Sequence, residues 1–129
     1  MPWEDWLAWS PWITNGGSAW PWYAYNVRLS VGDPEQPIPE PESAALWETL
    51  SAKRIDAVGY RDGVYAIFEA RRLPGWSAVA QLMGYRDLWH LNYPELELGD
   101  LWLISEKCDP VVRALAVRQR IRTWCTGEP

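Results

Sequence analysis

The chain is predicted to fold as an α/β domain, on three observations. Residues Arg54 to Arg71 form two apolar runs joined at Asp62-Gly63, and Asp-Gly between such runs is a strong hairpin signal. After the hairpin, helical and strand patterns alternate: helix, strand, helix, strand. That order implies parallel pairing by right-handed crossovers, added to an initial antiparallel pair. Finally, Ile55, Ala57, Ala66, Phe68 and Ala70 share one hairpin face, and Val58, Tyr60, Tyr65 and Ile67 share the other. A sheet apolar on both sides needs helices on both sides.

The elements follow in order. Residues 1–41 read as a Trp- and Pro-rich arm, and 42–129 as the α/β domain. In the arm, Trp3, Trp6, Trp9 and Trp12 recur every three residues. Asp5 to Trp9 fits one amphipathic turn, and Pro11 is expected to block a longer helix. Tyr23 to Val31 alternates like a half-buried strand. Gly32 to Pro41 holds Pro34, Pro37, Pro39 and Pro41 and reads as a stiff, extended linker. Glu42 to Ser51 reads as a helix with an acidic start. The hairpin strands are expected near 54–60 and 64–71. Leu73-Pro74-Gly75 breaks the chain, and Ser77 suits the N-cap of a helix to about Leu91. Ala78, Leu82, Tyr85 and Trp89 form its apolar stripe. Leu101 to Ser105 is a buried strand, Asp109-Pro110 opens a helix to about Arg118, and Ile121 to Cys125 is the last strand.

Composition narrows the class. With 129 residues and a net charge of −5, the chain makes one domain with a moderate core and carries no whole-chain polyanion signature. The charge is uneven: residues 1–48 hold seven acids against Arg28, while Arg113, Arg118, Arg120 and Arg122 fall near the end. No apolar run spans a membrane, and no basic region precedes an apolar stretch at the start. Cys108 and Cys125 are candidates for a pair in space, yet two thiols without framework spacing suit a reducing compartment better. His90 stands alone near a helix end and reads as a surface or capping residue. The eleven tryptophans are the most unusual feature. Trp20 and Trp22 are expected to cover the sheet. Trp3, Trp6, Trp9 and Trp12 are expected to dock into another subunit, where Trp concentrates interface energy.

The chemistry lies in the hairpin. A two-residue loop places Arg61 opposite Val64 and, counting outward, Asp56 opposite Glu69, with Cβ atoms roughly 5 Å apart. Arg71 points to the same side as Glu69, and Arg54 opposes it. Two carboxylates so placed need a cation between them. A metal would serve, and so would a salt-bridged square of Asp56 and Glu69 with Arg54 and Arg71. Gln81 and Tyr85, one helical turn apart, project together toward this face.

Asp56, Glu69-x-Arg71 and Gln81-Leu-Met-Gly-Tyr85 together resemble the PD-(D/E)XK nuclease superfamily. The branch is the Gln-x-x-x-Tyr one typified by RecB-type nucleases. Lys53-Arg-Ile-Asp56 is similar to the corresponding strand of small phage-encoded members. The resemblance covers about Glu42 to Cys125 and implies a restriction-endonuclease-like core. It implies Mg²⁺ on Asp56 and Glu69, with the Ala70 carbonyl as a third oxygen and Glu42 or Glu48 as an extra acid. Gln81 and Tyr85 would brace the site or touch a nucleic-acid backbone. The family's catalytic Lys is Arg71 here, and a guanidinium cannot act as a base near neutral pH. Two functions follow from the resemblance. One is a virion structural protein of a phage head–tail neck with lost or weak catalysis, assembled with other subunits through the arm. The other is an active Mg²⁺-dependent DNA endo- or exonuclease. Either implies a virion or host-cytoplasm location, with DNA as a candidate partner.

Overall fold

In the computed structural model, residues 1–16, 20–29 and 54–126 are described. Their elements are α1 (Trp3–Asn15), β1 (Trp22–Arg28), β2 (Arg54–Arg61), β3 (Val64–Arg71), α2 (Trp76–Asn92), β4 (Leu98–Ser105), α3 (Pro110–Arg118) and β5 (Ile121–Cys125). The expected linker, the Glu42–Ser51 helix with Glu42 and Glu48, and Lys53 lie outside the described residues.

Five strands form one sheet in chain order, β1-β2-β3-β4-β5. The first three are antiparallel and the last three parallel. The hairpin has the expected register, Arg61 opposite Val64 and Tyr60 opposite Tyr65. Asp62 and Gly63 both take positive φ, +52° and +83°, as a type I′ turn requires. At Gly59 a Cβ would sit 2.9 Å from the Phe68 ring; the missing side chain leaves room for that ring.

The two crossovers run the same way along the sheet, so α2 and α3 share a face. There Val58, Ile67, Leu101, Leu103 and Ile121 meet Leu82, Tyr85 and Trp89 of α2 and Val112 and Ala116 of α3. Ile55, expected on the opposite face, packs with this cluster. Helix α3 is capped as read, with Asp109 accepting from the Val111 and Val112 N–H groups (2.9 and 3.2 Å). Helix α2 starts one residue before Ser77, and Gly75 at its N-cap supplies no side-chain bond.

The other face is covered by α1, and here the structure departs from the sequence reading. The helix runs through Pro11 for 13 residues. An interior proline costs about 3 kcal/mol, but burying each of two indoles returns on the order of 4 kcal/mol. Trp9 and Trp12 are those indoles, packed with Ala8 against Phe68, Trp102 and Trp124. The three-residue spacing explains which tryptophans go inside. At about 100° per residue, each successive Trp is turned by about 60° round the axis, so Trp3 and Trp12 lie on opposite sides. Exposure follows that rotation: 73% for Trp3, 44% for Trp6, 0% for Trp9 and 4% for Trp12. Trp9 and Trp12 are therefore core residues of their own chain and not anchors for another subunit, which corrects the sequence expectation. Trp3 and Trp6 remain on the surface. The described part of the arm belongs to the fold: α1 is a lid and β1 an edge strand.

The cysteines are a second correction. Ser105 lies beside Cys125 in the β4–β5 register, and the turn after β4 brings Cys108 back over it. Cys108 and Cys125 form a disulfide, with their Cα atoms 5.5 Å apart. No helix among the described residues is long and apolar enough to cross a membrane.

Candidate functional site

The paired acids sit where β2 begins and β3 ends, on the face covered by α2. Backbone pairing runs from the turn to Ala57 opposite Phe68, and the next rung is Asp56 opposite Glu69. There the carboxylates enter the ladder themselves. The Ala70 N–H donates to Asp56 Oδ2 at 2.9 Å, and the Asp56 N–H donates to Glu69 Oε1 at 3.3 Å. Asp56 is 6% exposed and Glu69 1%.

Arg71 folds back over both. Its Nη1 lies 3.2 Å from Asp56 Oδ2 and its Nη2 2.8 Å from Glu69 Oε2. Nη1 also donates to the Ala70 carbonyl at 2.8 Å, and Nη2 to Gln81 Oε1. The planar fork suits this task, because it presents several donors in fixed directions. Gln81, one turn into the apolar stripe of α2, holds the guanidinium from above. Tyr85 donates its hydroxyl to the Arg54 carbonyl at 3.3 Å. Gln81 and Tyr85 thus both reach the acidic face, as their helical spacing predicts.

Arg54 does not join the square. Its backbone carbonyl serves Tyr85, and its side chain makes no ion pair among the described residues. Asp5 takes part instead: its Oδ2 lies 3.7 Å from Arg71 Nη1, and its Oδ1 accepts from the Arg72 N–H at 3.3 Å. Sequence reasoning misses Asp5 because its partner is 66 residues away and the arm is expected to dock into another subunit. The available signal was helical: Asp5 lies three and four residues before Ala8 and Trp9, on the side of α1 that faces the sheet.

Burial dominates the electrostatics. It pushes Glu69 up to about 8, helped by the Asp56 charge and opposed by Arg71. Asp56 is also raised, by burial first, against the Ala70 N–H and Arg71. Burial works against the charge of Arg71, but Glu69 and Asp56 outweigh it and raise its pKa. Tyr85 is raised by burial and by both carboxylates. A cavity of about 310 Å³ opens beside it, lined by Asp5, Asp56, Glu69, Arg71, Gln81 and Tyr85.

The donor set can be compared with what a metal would need. Asp56, Glu69 and the Ala70 carbonyl are the three oxygens assigned to Mg²⁺, and Arg71 hydrogen-bonds or ion-pairs with all three. Among the described residues, no three His, Cys, Asp or Glu side chains converge in metal-holding geometry. So arranged, one guanidinium engages all three of these oxygens.

Comparison with known proteins returns no match, whether to family models, to curated proteins or to solved structures.

Proposed function

We propose that this chain is a restriction-endonuclease-like protein in which an arginine has taken the metal's position. Its role is structural, as a subunit of a phage particle at the head–tail neck, with catalysis lost or weak. One observation carries the loss of catalysis: the Arg71 guanidinium engages Asp56, Glu69 and the Ala70 carbonyl together. A side chain that both fills a cation position and stays protonated leaves neither a Lewis acid nor a base there. The phage setting is supported by the similarity of Lys53-Arg-Ile-Asp56 and Gln81-x-x-x-Tyr85 to small phage-encoded members of the superfamily. Contact with other subunits is supported by Trp3 and Trp6, exposed on the outer side of α1.

A second reading, an active Mg²⁺-dependent DNA nuclease in a virion or host cytoplasm, is favoured by the cavity beside the acids. It requires Arg71 to swing out and a metal to enter. Incubating the protein with linear, nicked and single-stranded DNA and Mn²⁺ separates the two. The structural reading predicts little cleavage by wild type, with Arg71→Lys the variant best placed to regain it. Robust wild-type cleavage that Glu69→Gln abolishes would establish the nuclease instead.

A further inference from the structure

A second cavity lies on the same sheet face, at the opposite end of the strands. It measures about 460 Å³ and is lined by Arg86, Gly99, Leu101, Arg118, Gln119 and Arg120. Three elements supply the arginines: the third quarter of α2, the last residue of α3, and the link into β5. Among the described residues no carboxylate lines the cavity, and none of the three guanidinium groups pairs with one. The nearest acid in β4, Asp100, is engaged by Arg122 at 3.2 Å, and that pair belongs to the opposite face, where Arg122 also covers the Trp102 ring. In a chain of net charge −5, three arginines around one concavity that no acid among the described residues neutralises stand out from the average surface.

Two details show how the cationic groups are held. Arg86 Nη1 donates to the Gln119 carbonyl at 3.0 Å, which orients its fork across the α2–α3 gap. Arg120 follows the C-cap Gln119 and takes φ +60°. That position after a helix normally goes to glycine, because a Cβ is strained in the left-handed region. An arginine there accepts strain that glycine would relieve, and its side chain lines the cavity.

We propose that this cavity is a phosphate-binding site, taking the oxyanion of a nucleic-acid backbone through Arg86, Arg118 and Arg120. Guanidinium forks match phosphate oxygens two at a time, and the volume accommodates a nucleotide-sized group. The inference is independent of the acidic site: it needs neither a metal nor a catalytic role for Asp56 and Glu69.

The test uses the whole protein. Amide chemical shifts are followed by NMR while inorganic phosphate, then a short single-stranded and a short duplex oligonucleotide, are added at low salt. Shifts are expected at Gly99, Leu101, Gln119 and Arg120, with oligonucleotides binding more tightly than phosphate. Affinity should fall with salt at a slope of roughly −0.7 per phosphate contacted on a single strand. Arg118→Gln combined with Arg120→Gln should weaken binding at least about tenfold, the effect of losing charge-assisted bonds, while Arg122→Gln changes it little. Arg120→Gly provides a signature that a structural role would not give: weaker binding with an unchanged or higher melting temperature. Binding of phosphate but not of either oligonucleotide would reassign the site to a free phosphorylated small molecule and overturn the nucleic-acid assignment. No shift in these residues with any of the three ligands would overturn the site altogether.

Discussion

Arg71 lies two residues after Glu69 on β3, and its Nη2 turns back to sit 2.8 Å from Glu69 Oε2. Residues i and i+2 share a strand face, so the ion pair is built from neighbours on one strand and extends across the rung to Asp56 on the next. The pair is deep, with Glu69 1% exposed. A buried ion pair is a poor source of stability in itself, but breaking it by removing one partner is costly. The predictions below follow from that asymmetry and from the way α1 seals the opposite face.

The pH dependence has a definite sign. Burial raises Glu69 from 4.5 to about 8 in the folded chain, so the folded state holds the extra proton between those values. Stability contributed by this group is therefore full below about 4.5 and falls as pH rises toward 8. Asp56 is raised too and acts in the same direction. Glu69→Gln, a neutral isostere, should flatten the decline, and at pH 9 it should melt no lower than wild type. Urea unfolding at a series of pH values measures the slope; a variant slope as steep as wild type would exclude Glu69 as its source.

The tryptophans divide by their angle on α1. Trp9→Ala and Trp12→Ala should each cost about 3–5 kcal/mol, as aromatic truncations in packed cores do. Trp3→Ala and Trp6→Ala should stay within about 0.5 kcal/mol, as surface substitutions do. If the exposed pair contacts a partner subunit, only the second two variants should lose assembly while remaining folded. Thermal melting with light scattering reads both effects, and equal melting temperatures across the four variants would contradict the packing of α1.

The disulfide closes a separation of 17 residues between the β4–α3 turn and the end of β5. Cross-links of that span contribute about 3 kcal/mol. Reduction, or Cys108→Ser with Cys125→Ser, should lower the melting temperature while leaving unchanged the Arg71 guanidinium contacts, which are made to β2, β3 and α2. Thiol titration of the unfolded, unreduced protein should find no free thiol.

The legible parts of this fold were those governed by local rules. Asp62-Gly63 set the hairpin register, and that register alone placed Asp56 opposite Glu69. Asp109-Pro110 marked α3, and the spacing of Ala78, Leu82, Tyr85 and Trp89 gave the buried face of α2. The failures share one cause. Pro11 argues against a helix by propensity, and only the tertiary burial of Trp9 and Trp12 overrides it. With the arm expected to dock into another subunit, nothing in the sequence pairs Asp5 with Arg71. The rung predicts Arg54 in the square, but Arg71 already fills the space between the acids and Arg54 stays exposed. Cys108 and Cys125 meet only because β4 and β5 are parallel neighbours, a long-range pairing that cysteine count does not reveal.

The central claim, that the guanidinium occupies a cation's place, has one direct test: melting temperature with and without Mg²⁺ for wild type and Arg71→Ala. The account predicts that Mg²⁺ leaves wild type unchanged. Arg71→Ala should lose about 3–5 kcal/mol, because it strands buried carboxylates, and Mg²⁺ should restore part of that loss unless Asp56→Asn is also present. A wild-type melting temperature that Mg²⁺ raises, and that Asp56→Asn makes insensitive to Mg²⁺, would contradict it.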